Sequence, residues 1–426
     1  MYMRYVITNA KLLNGHRDMH VEEGKYIYVS DGKIEKIAKS LIGGYDIIDL
    51  EGKYILPGLI NMHVHLAGNG AHSGKQKDNK KTVDFLFSNS VTRAIAYQMV
   101  CNFAKLELYG GVTTIRTVGG LKDLDTRLRN EIKAGKKTGP LILAANEGIT
   151  VEGGHMAGSV ARVARNNEEA KRFVEASYAQ GVDLVKLMIT GGVLDAKEKG
   201  VPGEMKMPED MIQTICKKAH QLGLLTSAHV ESTEGVKAAL RNGVDSIEHG
   251  AKPDQEMMEL FKEKKAFLIT TLSPALPFAL FDPSVSKVDD TQLFNGKMVF
   301  DGIVECSKAA LENRIPVGLG NDVGCPWITQ YDFYRELVYF HKYVGVTNGF
   351  AIYTATLQNA ILAGISDITG SIDAGKQADM IVVKENPLDD LNALKNIELV
   401  FTKGKMAHPR IKRDKEIEQR LDVFCK

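Results

Sequence analysis

Much that would set this chain of 426 residues apart is scarce or missing. There is one Trp, and the five Cys are odd in number, scattered and without a Cys-x-x-Cys pair. Such a set cannot complete a disulfide framework, so a reducing, cytoplasmic setting is the simpler expectation. An excess of one charge is also missing, because 54 Lys+Arg face 53 Asp+Glu. A nucleic-acid partner is therefore not expected, since neutralising phosphates needs a basic surplus. No stretch approaches the ~20 apolar residues that span a bilayer. The opening Met-Tyr-Met-Arg-Tyr-Val-Ile-Thr also lacks the apolar segment of a secretory signal. No membrane partner is expected either. The 44% hydrophobic and 25% charged residues that are present suit an ordinary globular protein.

The two ends are β-rich. Tyr26–Val29 and Ile34–Ile37 flank Ser30-Asp31-Gly32-Lys33, a hairpin signal with an Asp-Gly turn. Near the other end, Asp379–Val383 and Ile397–Phe401 read as strands, and Thr402-Lys403-Gly404-Lys405 as a turn. Between the ends, short apolar runs alternate with helical patterns such as Pro208–Leu222 and Thr233–Asn242. The runs expected as strands are Leu59–His65, Gly111–Thr117, Leu141–Asn146, Leu184–Ile189, Leu224–His229, Ser246–His249, Phe267–Thr271 and Val317–Asp322. Eight strands alternating with helices fit a (β/α)8 TIM barrel, whose usual size is ~250 residues. A doubly wound open sheet competes on strand count alone.

The strand ends decide between them. His63 and His65 close the first run, Lys186 lies in the fourth, His229 closes the fifth, His249 the sixth and Asp322 the eighth. A barrel gathers the C-terminal ends of its strands into one site, so such distant residues converge there. His63 and His65 are two apart on a strand, which points both side chains the same way. Imidazole and carboxylate ligands suit Zn2+ or a related divalent ion, and a site with open positions suits catalysis. A metal lowers the pKa of its bound water and makes a nucleophile, while Asp322 can carry the proton to a leaving nitrogen.

These residues stand in ordered motifs: Pro57-Gly58-Leu59-Ile60-Asn61-Met62-His63-Val64-His65, Val185-Lys186, Ala228-His229, Ser246-Ile247-Glu248-His249-Gly250, Gly320-Asn321-Asp322 and Gly370–Asp379. With them the chain resembles the metal-dependent amidohydrolase superfamily over nearly its whole length. The resemblance implies a barrel over residues 57–366 and a small β-sandwich assembled from residues 1–56 and 367–426. It also implies two divalent metals. His63, His65 and Asp322 would bind one, His229 and His249 the other, and a hydroxide and a carbamate on Lys186 would bridge them. An anionic carbamate removes the repulsion between an ammonium and two dications.

The loop Glu152-Gly153-Gly154-His155-Met156-Ala157-Gly158 is similar to that of the Xaa-Pro dipeptidase, metal carboxypeptidase and imidazolonepropionase-like subgroup, in which the His touches substrate. His155 is therefore expected at the substrate. Arg116, after the second strand, is expected on the same rim as a carboxylate-binding group, with a structural ion pair as its other reading. Glu231 stands where peptidase-like relatives often carry Tyr. It is expected either to meet a cationic substrate group or to cap the helix that begins near Thr233. Trp327 is expected as a pocket wall or as loop packing. Gly68–Ser90, with His72 and Lys75, Lys77, Lys80 and Lys81, reads as a lid over the mouth. The polar last 22 residues suggest an exposed helix, a possible subunit contact in a homo-oligomer.

The expectation is thus a binuclear hydrolase cleaving the amide of a small N-acyl amino acid or dipeptide by attack of a metal-bridging hydroxide. A deaminase or a cyclic amide hydrolase is the alternative. A non-catalytic binding protein on the same scaffold would have lost ligands, and none is missing.

Overall fold

A computed structural model of the chain describes residues 4–71 and 78–426. His72, Lys75 and Lys77 of the expected lid lie outside the described residues, and its later part is a helix, Asn79–Leu86. The chain divides into two compact units. One comprises the residues up to Asn61 with Lys105–Ile115 and Gln330–Lys426, and the other Met62–Ala104 with Arg116–Thr329.

In the first unit the two ends of the chain pair in one sheet of eight strands. From the N-terminal side come β1 (Arg4–Leu12), β2 (Glu22–Ser30), β3 (Lys33–Ala38), β4 (Asp46–Asp49) and β5 (Tyr54–Pro57). The C-terminal side adds β16 (Met380–Val383), β17 (Ile397–Thr402) and β18 (Lys405–Ala407). The order is β18-β17-β16-β5-β1-β2-β3, with β4 also on β1, and β16 antiparallel to β5 joins the two ends. Both expected turns are two-residue hairpin loops with positive φ at both positions: Asp31 and Gly32 at +53° and +80°, Lys403 and Gly404 at +47° and +71°. That backbone matches the strand twist, which is why Gly follows Asp or Lys there. Ile7, Ile27, Val29, Ile55, Met380 and Phe401 form its buried core.

All eight runs between the ends are strands. They are β6 (Leu59–Val64), β7 (Val112–Thr117), β8 (Leu141–Ala144), β11 (Leu184–Met188), β12 (Leu225–Val230), β13 (Ser246–His249), β14 (Phe267–Thr270) and β15 (Val317–Leu319). Two short extra strands, β9 (Gly148–Thr150) and β10 (Ala161–Val163), extend the sheet beside β11. Strands β6-β7-β8 pair in sequence order, as do β11 to β15, which run parallel to one another. Asp183 N–H donates to Ala144 O at 2.8 Å and joins the two sets. His65 N–H to Val323 O at 3.1 Å and Asp322 N–H to His63 O at 3.0 Å close the ring. This is an α/β barrel with an added sheet drawn from the termini.

The eighth strand stops at Leu319, short of Asp322. The backbone explains it: a Cβ on Gly320 would lie 2.4 Å from His63 Cβ, and Asp322 takes a left-handed φ of +52°. Only Gly lets the two backbone segments approach this closely.

Candidate metal centre and active site

The six residues expected as ligands all lie buried in the second unit. His63 and His65 bring their Nε2 atoms to 3.4 and 3.2 Å from Asp322 Oδ1. His63, His249 and Asp322 each offer a ligand atom within 4.8 Å of the others. So do His229, Glu231 and His249. His249 thus belongs to both groups, and Glu231, expected at the substrate, stands among the ligand atoms.

Hydrogen bonds aim these rings. The Nδ1 atoms of His63, His65 and His249 lie 2.8, 2.8 and 2.6 Å from Glu248 Oε2, Gly119 O and Thr271 Oγ1. Each partner holds one nitrogen and leaves Nε2 for a ligand, as around metal-binding histidines. His229 is oriented otherwise, with Nε2 3.4 Å from Gly191 O and its ring stacked on His155 at 4.1 Å between centroids.

Alternation along β13 would turn His249 away from the side that Ser246 and Glu248 face. His249 instead adopts φ +69°, a left-handed backbone at the strand end that redirects its side chain. Asp322 does the same. Non-glycine residues pay for this conformation, and such costs gather at functional sites.

The electrostatics suit a cation. Burial drives His63 down to about 4 and holds His229 and His249 well below the usual imidazole range, so all three stand ready as neutral ligands. Burial works to raise Asp322, but the surrounding His63, His65 and His249 outweigh it and keep the carboxylate ionised. Lys186 is the anomaly. Its Nζ is buried with no hydrogen-bond partner among the described residues, and burial pulls the amine down to about 8. A buried lysine normally carries a partner. Neutral imidazoles, an ionised carboxylate and an amine without a partner form a donor set that fits divalent cations.

For Arg116 and Trp327 the structure favours the second of the two expected readings. Arg116 forms an ion pair with Glu248. It is buried, its Nε donates to Met62 O at 2.7 Å, Nη1 to Ser246 Oγ at 3.1 Å and Nη2 to Glu248 Oε1 at 2.6 Å. Its place in a strand that faces the barrel interior commits every donor group inward. Trp327 is no open pocket wall: it is buried edge-on against Phe281, centroids 5.0 Å apart. Glu231 does not cap the helix Thr233–Arg241, whose N-cap is Ser232. Its Oε2 accepts from Val193 N–H at 3.1 Å, and burial, with Asp322 and Asp195 nearby, raises its carboxyl to about 8. His155 is partly exposed, with Nδ1 2.5 Å from Asp195 Oδ2.

Sequence reasoning missed Asp195, Thr271 and the part played by Glu248. A carboxylate next to a ligand histidine within the strand Ser246–His249 was a signal for the last; the other two carry none.

The profile of the amidohydrolase family matches residues 54–407. A Bifidobacterium longum protein, provisionally described as a prolidase, is 34% identical with a TM-score of 0.86, over 99% of this chain and 98% of its own. A Xaa-Pro dipeptidase solved with methionine in its active site is 28% identical with a TM-score of 0.82, over 95% of this chain and 100% of its own. The ochratoxinase of Aspergillus niger is 24% identical over 389 residues, 83% of this chain and 75% of that protein. The chain belongs to the amidohydrolase family and is a hydrolase acting on C–N bonds.

Proposed function

We propose that this hydrolase is binuclear and cleaves the amide bond of a small N-acyl amino acid or dipeptide. The observation that carries the reading is the buried floor. Imidazole nitrogens and the carboxyl groups of Asp322 and Glu231 converge there beside the amine of Lys186, which has no hydrogen-bond partner among the described residues. His63, His65 and Asp322 would hold one divalent ion, and His229 and His249 the other, with Zn2+ the best match to these ligands. Lys186, as its carbamate, would bridge them, and a buried amine without a partner is free to be modified. When bound, the two ions supply an activated hydroxide and a Lewis acid for the scissile carbonyl.

The chain's own residues do the rest. Asp322, ionised and facing the floor, takes a proton and passes it to the departing nitrogen. His155, held by Asp195, closes the mouth over His229 and orients the substrate. Glu231 faces the same space and, with its carboxyl raised to about 8, offers the substrate a neutral hydrogen-bonding group there. The dipeptidase likeness of two similar structures supports the substrate class. On this reading residues 57–366 are the catalytic domain, and residues 1–56 and 367–426 the flanking one. The five free cysteines support a reducing, cytoplasmic setting.

The test is hydrolysis of a panel of dipeptides and N-acyl amino acids by the Zn2+-reconstituted protein. Turnover within the panel is expected. Activity confined to cyclic amides or to deamination would replace this reading.

A further inference from the structure

Glu248 and Arg116 are both buried. Glu248 divides its two oxygens between different tasks. Oε1 accepts from Arg116 at 2.6 Å, from Ser227 at 2.7 Å and from Ser246 at 3.0 Å. Oε2 alone meets His63 Nδ1, at 2.8 Å. The guanidinium neutralises the carboxylate and, with its bonds to Met62 O and Ser246, joins three strands of the barrel across the interior. Paired with Arg116 the carboxylate is ionised and both of its oxygens only accept, so His63 must present N–H at Nδ1.

We propose that the Arg116–Glu248 pair is a positioning device that fixes His63 as its Nδ1-protonated tautomer, keeping the Nε2 lone pair available to a divalent cation. The inference rests on the metal reading above and adds to it the group that sets the ligand's proton. It also assigns Arg116 a role, in place of the substrate contact expected from the sequence.

The substitution Glu248→Gln tests it sharply. Arg116, Ser227 and Ser246 would hold the amide oxygen on their side, which turns the amide NH2 toward His63 Nδ1. That nitrogen must then accept, and the proton moves to Nε2, where it blocks ligation. Two readouts apply, neither of them turnover. The first is 15N-resolved imidazole NMR of the metal-free protein, with His63 assigned by its loss in His63→Gln. The native protein should show Nδ1–H and Glu248→Gln should show Nε2–H. The second is competition for Zn2+ against a chelator, with affinity expected to fall about 10–100-fold in Glu248→Gln. Glu248→Asp, which keeps an acceptor-only group, should retain the native tautomer and recover part of the affinity.

An Nε2–H tautomer in the native protein overturns the proposal, and so does a Glu248→Gln protein with native tautomer and native Zn2+ affinity. If Glu248→Gln does not fold, the native spectrum still decides. A native protein that takes up no Zn2+ defeats the metal reading, while the tautomer measurement independently judges this one.

Discussion

The floor of the site and its rim are built differently, and the difference explains what each does. The floor takes its groups from strands and strand ends, buries them, and gives the Nδ1 atoms of His63, His65 and His249 a fixed partner. The rim takes its groups from the segments between elements. His155 depends on Asp195, Glu231 on the Val193 amide, and Trp327 is spent in packing. Rigid ladders suit residues that must hold cations at fixed distances, and loops suit residues that change with the substrate.

Substitutions on either side can break or sharpen that contrast. The largest effect belongs to the floor. Asp322→Asn should cut turnover about 10²–10⁴-fold, the usual weight of a positioned proton carrier, while metal remains bound. A variant with near-native kcat would remove Asp322 from proton transfer. Lys186→Ala should lower metal content from two ions per chain to one or none, read by elemental analysis. Two tightly held ions in that variant would refute the bridging role. On the rim, His155→Ala should lower kcat/KM roughly 10–100-fold, the range for a hydrogen bond to a charged group. Asp195→Asn should have a smaller effect in the same direction. Kinetics unchanged in both would reduce the pair to loop structure. The weakest effect on turnover is expected for Trp327→Ala. It should cost about 3–5 kcal/mol of stability in denaturant titration, as for other buried aromatics, with kcat/KM nearly intact in the folded fraction. A large fall in kcat/KM there would return Trp327 to the substrate.

The same contrast governs how much was legible in the sequence. Short apolar runs between helical patterns located all eight barrel strands, because parallel strands buried on both faces read as near-continuous apolar segments. The ligand types at their ends then located the floor. Strand eight was drawn too long, because the ladder yields at Gly320, where the backbone passes against His63. A rim has no period to read. Arg116 sits on a strand, yet its partners Ser246 and Glu248 lie 130 and 132 residues further on, so nothing local told an inward guanidinium from a substrate clamp. Glu231 follows His229 by two positions, but its acceptor role is set by Val193, on a turn whose shape the sequence does not encode by spacing. Asp195 lies in that same turn.

Metal stoichiometry of the purified native protein, measured before and after titration with Zn2+, reaches the centre of the account. Two divalent ions per chain are predicted. A protein that arrives without them and takes up none would contradict it.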